Sequence, residues 1–398
     1  MIVGDEAIAL VGRPTCYRVD LDVIERNVRD MRTIIGPGVR LAAVLKADAY
    51  GHGAVAIAGT ILDAGVDLLA VATLSEAIEL RRAYPEAPIL VMGYTPPAFA
   101  GVVVTQRIMP TLYDAGAATV FSDAALSAGS KLPVHIKLDT GMNRLGIKAY
   151  EQPEKVIAAI AALPGLSIES TFTHLALRDR ASDLAQYALY REVLDACDAE
   201  SIPTGLRHVC DSIGAVRYPE FRLDMVRVGA AFFGVRPMRM GPEYDAYPFP
   251  APAAFVTRIA RIRRLAEGEM VSYDDSWKAP AGGTRIATLP VGYADGYPRR
   301  FGNRAQVLVN GRRAPVVGLV CMDQSMVDLG GIEAEEGDEA VLLGEGISLG
   351  EAADWGSTNR NEILCGIGRR VPRIYMRRGE VAGFDDRLAG STLTWLDR

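Results

Sequence analysis

The chain is poor in cysteine. It has five in 398 residues, and none forms a CxxC pair. Cys16, Cys197, Cys210, Cys321 and Cys365 are scattered and odd in number. That excludes a disulfide frame or a cysteine zinc site and points to reduced, buried thiols. No apolar run approaches the ~18 residues of a membrane span. The opening MIVGDEAIALVGRP lacks the basic start and long apolar stretch of a secretory signal. No basic block suggests nucleic acid and no acidic tail is present; the net charge of −6 is spread along the chain. Internal repeats and low-complexity segments are also lacking. These absences leave the expectation of a soluble, cytoplasmic protein acting on a small molecule, with no nucleic acid, membrane or metal partner.

What is present is long and patterned. A chain of 398 residues exceeds one ordinary core, although a single barrel can take about 250. Forty glycines, many clustered between apolar runs, suit a fold with many strand-to-helix turns. Eight β-rich runs follow one another at 40–46, 67–73, 88–93, 107–113, 133–141, 167–175, 205–212 and 223–230. Helix-period stretches lie between most of them, such as 20–36 and 182–198. Asp20 and Ser182 are the expected N-caps, and Gly36 an expected C-cap. Such βα alternation means a parallel sheet, and eight units suggest a closed (β/α)8 TIM barrel over an open doubly wound sheet.

The texture changes near 235–250, where GVRPMRMGPEYDAYPFPAPA reads as a linker. Alternating β-type runs follow, with Asn310–Gly311 as a hairpin turn signal. We therefore expect an α/β barrel domain over residues 10–242. A mostly β domain should follow over 250–398, with possible help from residues 1–9.

Catalytic groups of such a barrel sit at the C-terminal ends of its strands. Lys46 ends the first run, AAVLKADAYGHGA, at an apolar-to-polar boundary. A lysine there either steps into water, its commoner fate, or is partly desolvated and becomes a usable Schiff-base nucleophile. The loops after the last two strands carry Asp211-Ser212-Ile213-Gly214 and Gly229-Ala230. Ser212 can donate a hydroxyl hydrogen bond, and the glycines let backbone N–H groups approach an anion. A rim lysine beside a phosphate cradle suggests pyridoxal 5'-phosphate (PLP). Arg227, just before the second loop, would face the pyridine nitrogen or else form an ion pair.

Nine stretches, in order, carry a resemblance. They are LKADAYGHGA (45–54), HIKLDTGMNRLG (135–146), FTHLALRD (172–179), HVCDSIGAV (208–216), LDMVRVGAAFFG (223–234), VSYDDSW (271–277), LPVGYADGYPRRF (289–301), LVCMDQSMVDL (319–329) and CGIGRRVPRIY (365–375). On them the chain resembles the alanine racemases, fold-type III PLP enzymes, over nearly its whole length. The resemblance implies that Lys46 bonds covalently to the cofactor and that Tyr50, Ser212, Gly229 and Ala230 hold its phosphate. It implies Arg227 at the ring nitrogen and His174 near the ring. Arg144 would steady the substrate carboxylate, and Lys137, carbamylated in some members, would position Arg144. Tyr273 would be a second base opposite Lys46, and Met322 a backbone contact to the substrate. Asp323 and Tyr293 would support them. In the family the last groups come from the partner subunit, which implies a head-to-tail homodimer with shared active sites. The implied reaction interconverts L- and D-alanine, with D-alanine destined for peptidoglycan.

Four positions depart from the family pattern. Asp48 and Asp211 stand where asparagine is commoner, and Phe233 replaces a frequent tyrosine. Arg369 falls where many members place a tyrosine near the phosphate. The arginine could offset Asp211 or admit a polar side chain, so a serine or broader-specificity racemase is the alternative expectation. A PLP decarboxylase would want a cysteine opposite the lysine and an acid at the ring nitrogen, against VSYDDSW and Arg227. A non-catalytic PLP carrier would lack the second domain.

Overall fold

The computed structural model describes residues 11–236, 249–389 and 391–396. All eight expected strands are present: Arg40–Val44, Leu68–Val71, Ile89–Val91, Met109–Leu112, Leu132–Asp139, Leu166–Phe172, Leu206–His208 and Met225–Val228. They pair in parallel in this order, and the last pairs with the first. Backbone bonds from Asp224 to Arg207 (3.0 Å) and from Arg227 to Cys210 (3.0 Å) draw the remaining gap together. The result is a nearly closed barrel. Its strands are short and almost wholly buried, because helices cover the outer face and side chains fill the inner one.

Local chemistry explains the helix ends. Asp20 accepts from the N–H groups of Asp22 and Val23 and starts the Leu21–Ile35 helix, which Gly36 ends at φ 76°. Ser182 is not the cap expected of it. Asp179 accepts from the Ser182 N–H at 2.8 Å and caps the helix three residues earlier, so that it starts at Arg180. The Ser182 hydroxyl instead donates to the Asp179 carbonyl at 3.0 Å, inside the first turn.

The second domain is an eleven-stranded sheet. Its hairpin at Asn310–Gly311 has both residues in the left-handed region, at φ 47° and 74°, as a two-residue turn demands. One strand comes from an unexpected place. Cys16–Asp20, expected inside the barrel domain, pairs antiparallel with Ala253–Arg258 and parallel with Arg373–Arg377. The first described strand therefore lies in the β sheet, and the chain passes from it into the barrel at the Asp20 cap. Buried Cys16 and Tyr17 fill the sheet's core, where the alternation was too short to reveal its partner. The possible contribution of residues 1–9, and residues 237–248 of the expected linker, lie outside the described residues. Among the described residues no helix is long and apolar enough to cross a membrane. The five cysteines are free; three are buried, but Cys365 is exposed and Cys321 half-buried, contrary to expectation.

Candidate active site

The first barrel strand ends at Val44, and the chain then does something uncommon. Ala47, Asp48, Ala49 and Tyr50 all adopt left-handed backbone geometry, with φ of 53–54°. An L-residue there costs about 1–2 kcal/mol, so such residues normally occur singly. Four in a row persist only where the surroundings over-determine them. The turn is closed by backbone bonds, Ala49 N–H to Leu45 (2.8 Å) and Gly51 N–H to Ala47 (3.0 Å). The Glu76 carboxylate accepts the Ala47 N–H at 2.6 Å while also capping its own helix with Thr73. Lys46, at the head of this turn, is exposed, so the expected desolvation of its amine is not seen. Burial stops at Leu45, and the turn carries the lysine out to the mouth of a cavity.

That cavity, of 590 Å³, lies at the C-terminal ends of the barrel strands. Lys46, Tyr50, Lys137, Arg144, His174, Ser212, Arg227, Gly229 and Ala230 all line it. The Ser212 oxygen accepts the N–H groups of Gly229 (3.1 Å) and Ala231 (3.2 Å), which fixes the two loops together and leaves its hydroxyl proton free to donate. A methyl group at Gly229 would lie 2.8 Å from the Val44 carbonyl oxygen and 3.0 Å from the Tyr50 hydroxyl. Glycine is required there for that close approach. Two hydroxyls and a glycine loop thus form a small anion cradle.

Arg227 is buried and held on several sides. It donates to the Thr173 and Val209 carbonyls (2.8 and 2.9 Å) and to His208 Nδ1 at 2.6 Å. His208 then donates from Nε2 to Ser170 (2.8 Å), and Ser170 donates to His135 (2.5 Å). Burial first, and the Arg227 charge second, push His135 down to about 3 and His208 well below the ordinary histidine value. Both rings are neutral acceptors at neutral pH, so Arg227 keeps its protons. His174 is likewise held neutral by burial and Arg227, 3.5 Å away. Lys137 lies over the Phe172 ring at 4.7 Å, and burial, then Arg227 and Arg144, push its amine down to about 7.

These donors fit a phosphorylated pyridine aldehyde. The cradle suits the phosphate, a charge-retaining arginine suits the ring nitrogen, and a primary amine at the rim suits the aldehyde. The departures at Asp211 and Phe233 are accommodated. Asp211 accepts the Ile213 and Gly214 N–H groups, both at 2.9 Å, although burial raises its pKa. Phe233 packs on Tyr50 and stacks on His52 at 4.5 Å, so its ring alone fills the space.

The other expected residues gather elsewhere. Tyr273, Tyr293 and Met322 are 64%, 41% and 53% exposed, and none lines the cavity. They are nonetheless tied together. Ser272 donates to the Leu319 carbonyl (2.8 Å), Tyr293 N–H to Cys321 and Ala294 N–H to Met322 (both 3.0 Å). Asp323 accepts from Arg370 at 2.6 Å, and Arg370 also grips the fully buried Asp295 at 2.7 Å. Arg369 is exposed and is not among the residues that line the cavity; its charge helps to hold the Asp48 carboxyl down. Arg360 lines the wall instead, with Arg236, Asn359 and Asn361.

Sequence reasoning missed His208, Glu76, Arg360 and the buried Arg373. His208 stood inside a quoted motif, four residues before Ser212. Arg373 donates to the carbonyls of Gly51, Ile367, Gly368 and Val371, contacts that only the fold brings about.

Comparison with known proteins agrees with this geometry. Residues 19–237 match the family model "Alanine racemase, N-terminal domain", and 253–375 match "Alanine racemase, C-terminal domain". The alanine racemase of Desulforamulus reducens is 38% identical over 368 residues, covering 91% of this chain and 99% of its own. The Bacillus anthracis alanine racemase structure with bound L-Ala-P has a TM-score of 0.89 at 33% identity, covering 95% of this chain and 99% of its own. That of Bartonella henselae, with covalently bound pyridoxal phosphate, has a TM-score of 0.82 at 29% identity, over 91% and 99%. Barrel and β domain agree with these matches, and the chain belongs to the alanine racemase family.

Proposed function

We propose that this chain interconverts L- and D-alanine with PLP held at Lys46, working as a head-to-tail homodimer in the cytoplasm and supplying D-alanine for peptidoglycan. The observation that carries the reading is the convergence of Lys46, Tyr50, Ser212, Gly229 and Arg227 on one 590 Å³ cavity. When bound, PLP supplies an electron sink for negative charge at the substrate's α-carbon. Tyr50, Ser212 and the Gly229–Ala230 backbone hold its phosphate, and Lys46 holds its aldehyde carbon. Arg227 would bind the ring nitrogen without giving up a proton, because His208 Nδ1 behind it is too weak a base to take more than a hydrogen bond. An arginine at the ring nitrogen would leave the ring a weaker sink, so the residues beside the α-carbon would have to hold and return its proton.

Racemisation needs a base on each face of the α-carbon. The Lys46 amine takes or returns the proton on one face. Tyr273 of the partner subunit does so on the other. Arg144 orients the substrate carboxylate, with the backbone of Met322 of the partner subunit as a second contact. The tied loops of Tyr273, Tyr293 and Met322, with Met270 exposed in the same domain, support a partner contact on that face. The barrel over 10–242 and the β domain over 250–398 then act as the two units of each shared site.

The test is chiral chromatography of the purified protein with PLP and a panel of L-amino acids. L-Alanine should reach an even mixture of enantiomers, and Lys46→Ala should abolish this and the protein-bound PLP absorbance. Faster turnover of L-serine would favour the broader-specificity reading, which the polar wall of Arg236, Arg360, Asn359 and Asn361 also suits. Carbon dioxide release, or L-alanine left unchanged, would overturn the assignment.

A further inference from the structure

Asp48 sits two residues after Lys46, on the left-handed turn, and points away from the cavity. Its Oδ1 accepts the Ala54 N–H at 2.8 Å. Its carboxylate pairs with Arg387 at 3.1 Å, and Arg387 also pairs with Asp385 at 3.0 Å. All three side chains are largely enclosed, at 11%, 23% and 8% exposure. Burial works against the Asp48 charge, yet Arg387 and the Ala54 N–H hold its carboxyl below the usual carboxylate range. Arg387 follows the Glu380–Asp386 strand, beyond residue 375, where the match to the C-terminal family model ends. The adjoining Arg373–Arg377 strand grips the same turn. Arg373 donates twice to the Gly51 carbonyl (3.1 and 3.0 Å), and the Tyr375 hydroxyl fills the space where a Gly53 side chain would be. The Tyr17 hydroxyl meets His52 at 3.2 Å from the neighbouring strand.

We propose that Asp48 and Arg387 form a clamp by which the C-terminal strands of the β domain position the Lys46 turn, making both residues positioning residues for cofactor retention. This rests on Lys46 as the PLP lysine. The turn is strained and its lysine exposed, so its place must be set from outside its own backbone. An acid replacing the commoner amide at 48 has an evident use here: an amide could cap Ala54 but could not form the ion pair.

The test compares wild-type holoenzyme with Asp48→Asn, Arg387→Met and the double variant. The rate at which bound PLP is lost is followed by absorbance during exchange into PLP-free buffer, alongside kcat, KM and Tm. Asp48→Asn should release PLP about tenfold faster and lower kcat with little change in KM. The double variant should be no worse than the poorer single one, because the two residues act as a pair. Arg387→Lys should recover most of the loss. A lower Tm with unchanged PLP release and kcat would overturn the clamp, and so would single effects that multiply. Should Arg387→Met not fold, Asp48→Asn decides, since asparagine still caps Ala54. A wild type that takes up no PLP on Lys46 sinks the cofactor reading and the clamp with it. A wild type that takes it up, beside an unchanged Asp48→Asn, sinks the clamp alone.

Discussion

Replacing Ala47 by glycine should stabilise the protein, the reverse of what the same change does in an ordinary helix. Ala47 is exposed, so its methyl group contributes little packing. Its φ of 53° and ψ of 49° place it in the left-handed region, where an L-residue costs about 1–2 kcal/mol. Glycine removes that cost but brings back about 0.5–1 kcal/mol of unfolded-chain entropy. The net expectation is about 0.5–1 kcal/mol of added stability. Ala185, exposed within the right-handed Arg180–Ala199 helix, is the matched control. There Ala→Gly should cost about 1 kcal/mol. The two variants should move the urea midpoint in opposite directions at an unchanged slope. The Ala47 N–H bond to the Glu76 carboxylate survives the change, since residue 47 contributes only its backbone N–H. Destabilisation of about 1 kcal/mol by Ala47→Gly, matching the control, would refute the left-handed turn and the strain argument built on it.

Three further outcomes are expected. Mixing Lys46→Ala with Tyr273→Phe protomers under subunit exchange should restore about a quarter of wild-type activity, since half of random dimers are mixed and each carries one intact site. No recovery beyond either variant alone would argue against shared sites. Lys137 gives up its proton near pH 7, whereas the unfolded chain holds it to near 10.5, so its unfavourable buried charge is fully present below pH 7 and relieved above it. The neutral amine can then add carbon dioxide, forming an N–C bond and releasing a proton. Labelled bicarbonate should give a carbamate carbon signal that grows as pH rises through about 7 and is absent in Lys137→Ala. Gly229→Ala forces a methyl group against Val44 and the Tyr50 hydroxyl, and should weaken PLP binding about tenfold to a hundredfold by equilibrium titration.

The barrel was legible because each strand is a short apolar run bounded by turn residues, a pattern that survives without knowledge of its neighbours. So were the cavity's near-backbone residues, since Lys46, Ser212, Arg227 and Gly229 stand at strand ends where the chain itself aims them. Contacts made across long stretches of sequence were not legible. Cys16–Asp20 is not among the expected strands, and its partners lie more than 230 residues away. Arg369 and Arg360 are nine residues apart in one segment, and only the path of the Arg360–Gly366 helix decides which reaches the cavity. The left-handed turn leaves no mark in KADAY, because alanine and aspartate are common helix and turn residues. The contacts that hold it come from Glu76 and from Arg373 and Arg387, two distant parts of the chain.

That last point bears on why a barrel with its own cavity carries a second domain. The strain in the Lys46 turn cannot be relieved within AAVLKADAYGHGA, since four L-residues hold the same unfavourable geometry. The restraints that balance it come mainly from β-domain strands, through Arg373 to Gly51, Tyr375 against Gly53, Tyr17 to His52 and Arg387 to Asp48. One of those strands, Cys16–Asp20, also starts the first barrel helix at the Asp20 cap. A change in the sheet therefore reaches the lysine through covalent and ionic routes together. On this argument the β domain has two tasks on two faces. One presents Tyr273 and Met322 outward, and the other holds Lys46 of the same chain in place. Variants of the second kind should fail at their own Lys46 whichever partner they meet, whereas those of the first should fail at the partner's Lys46.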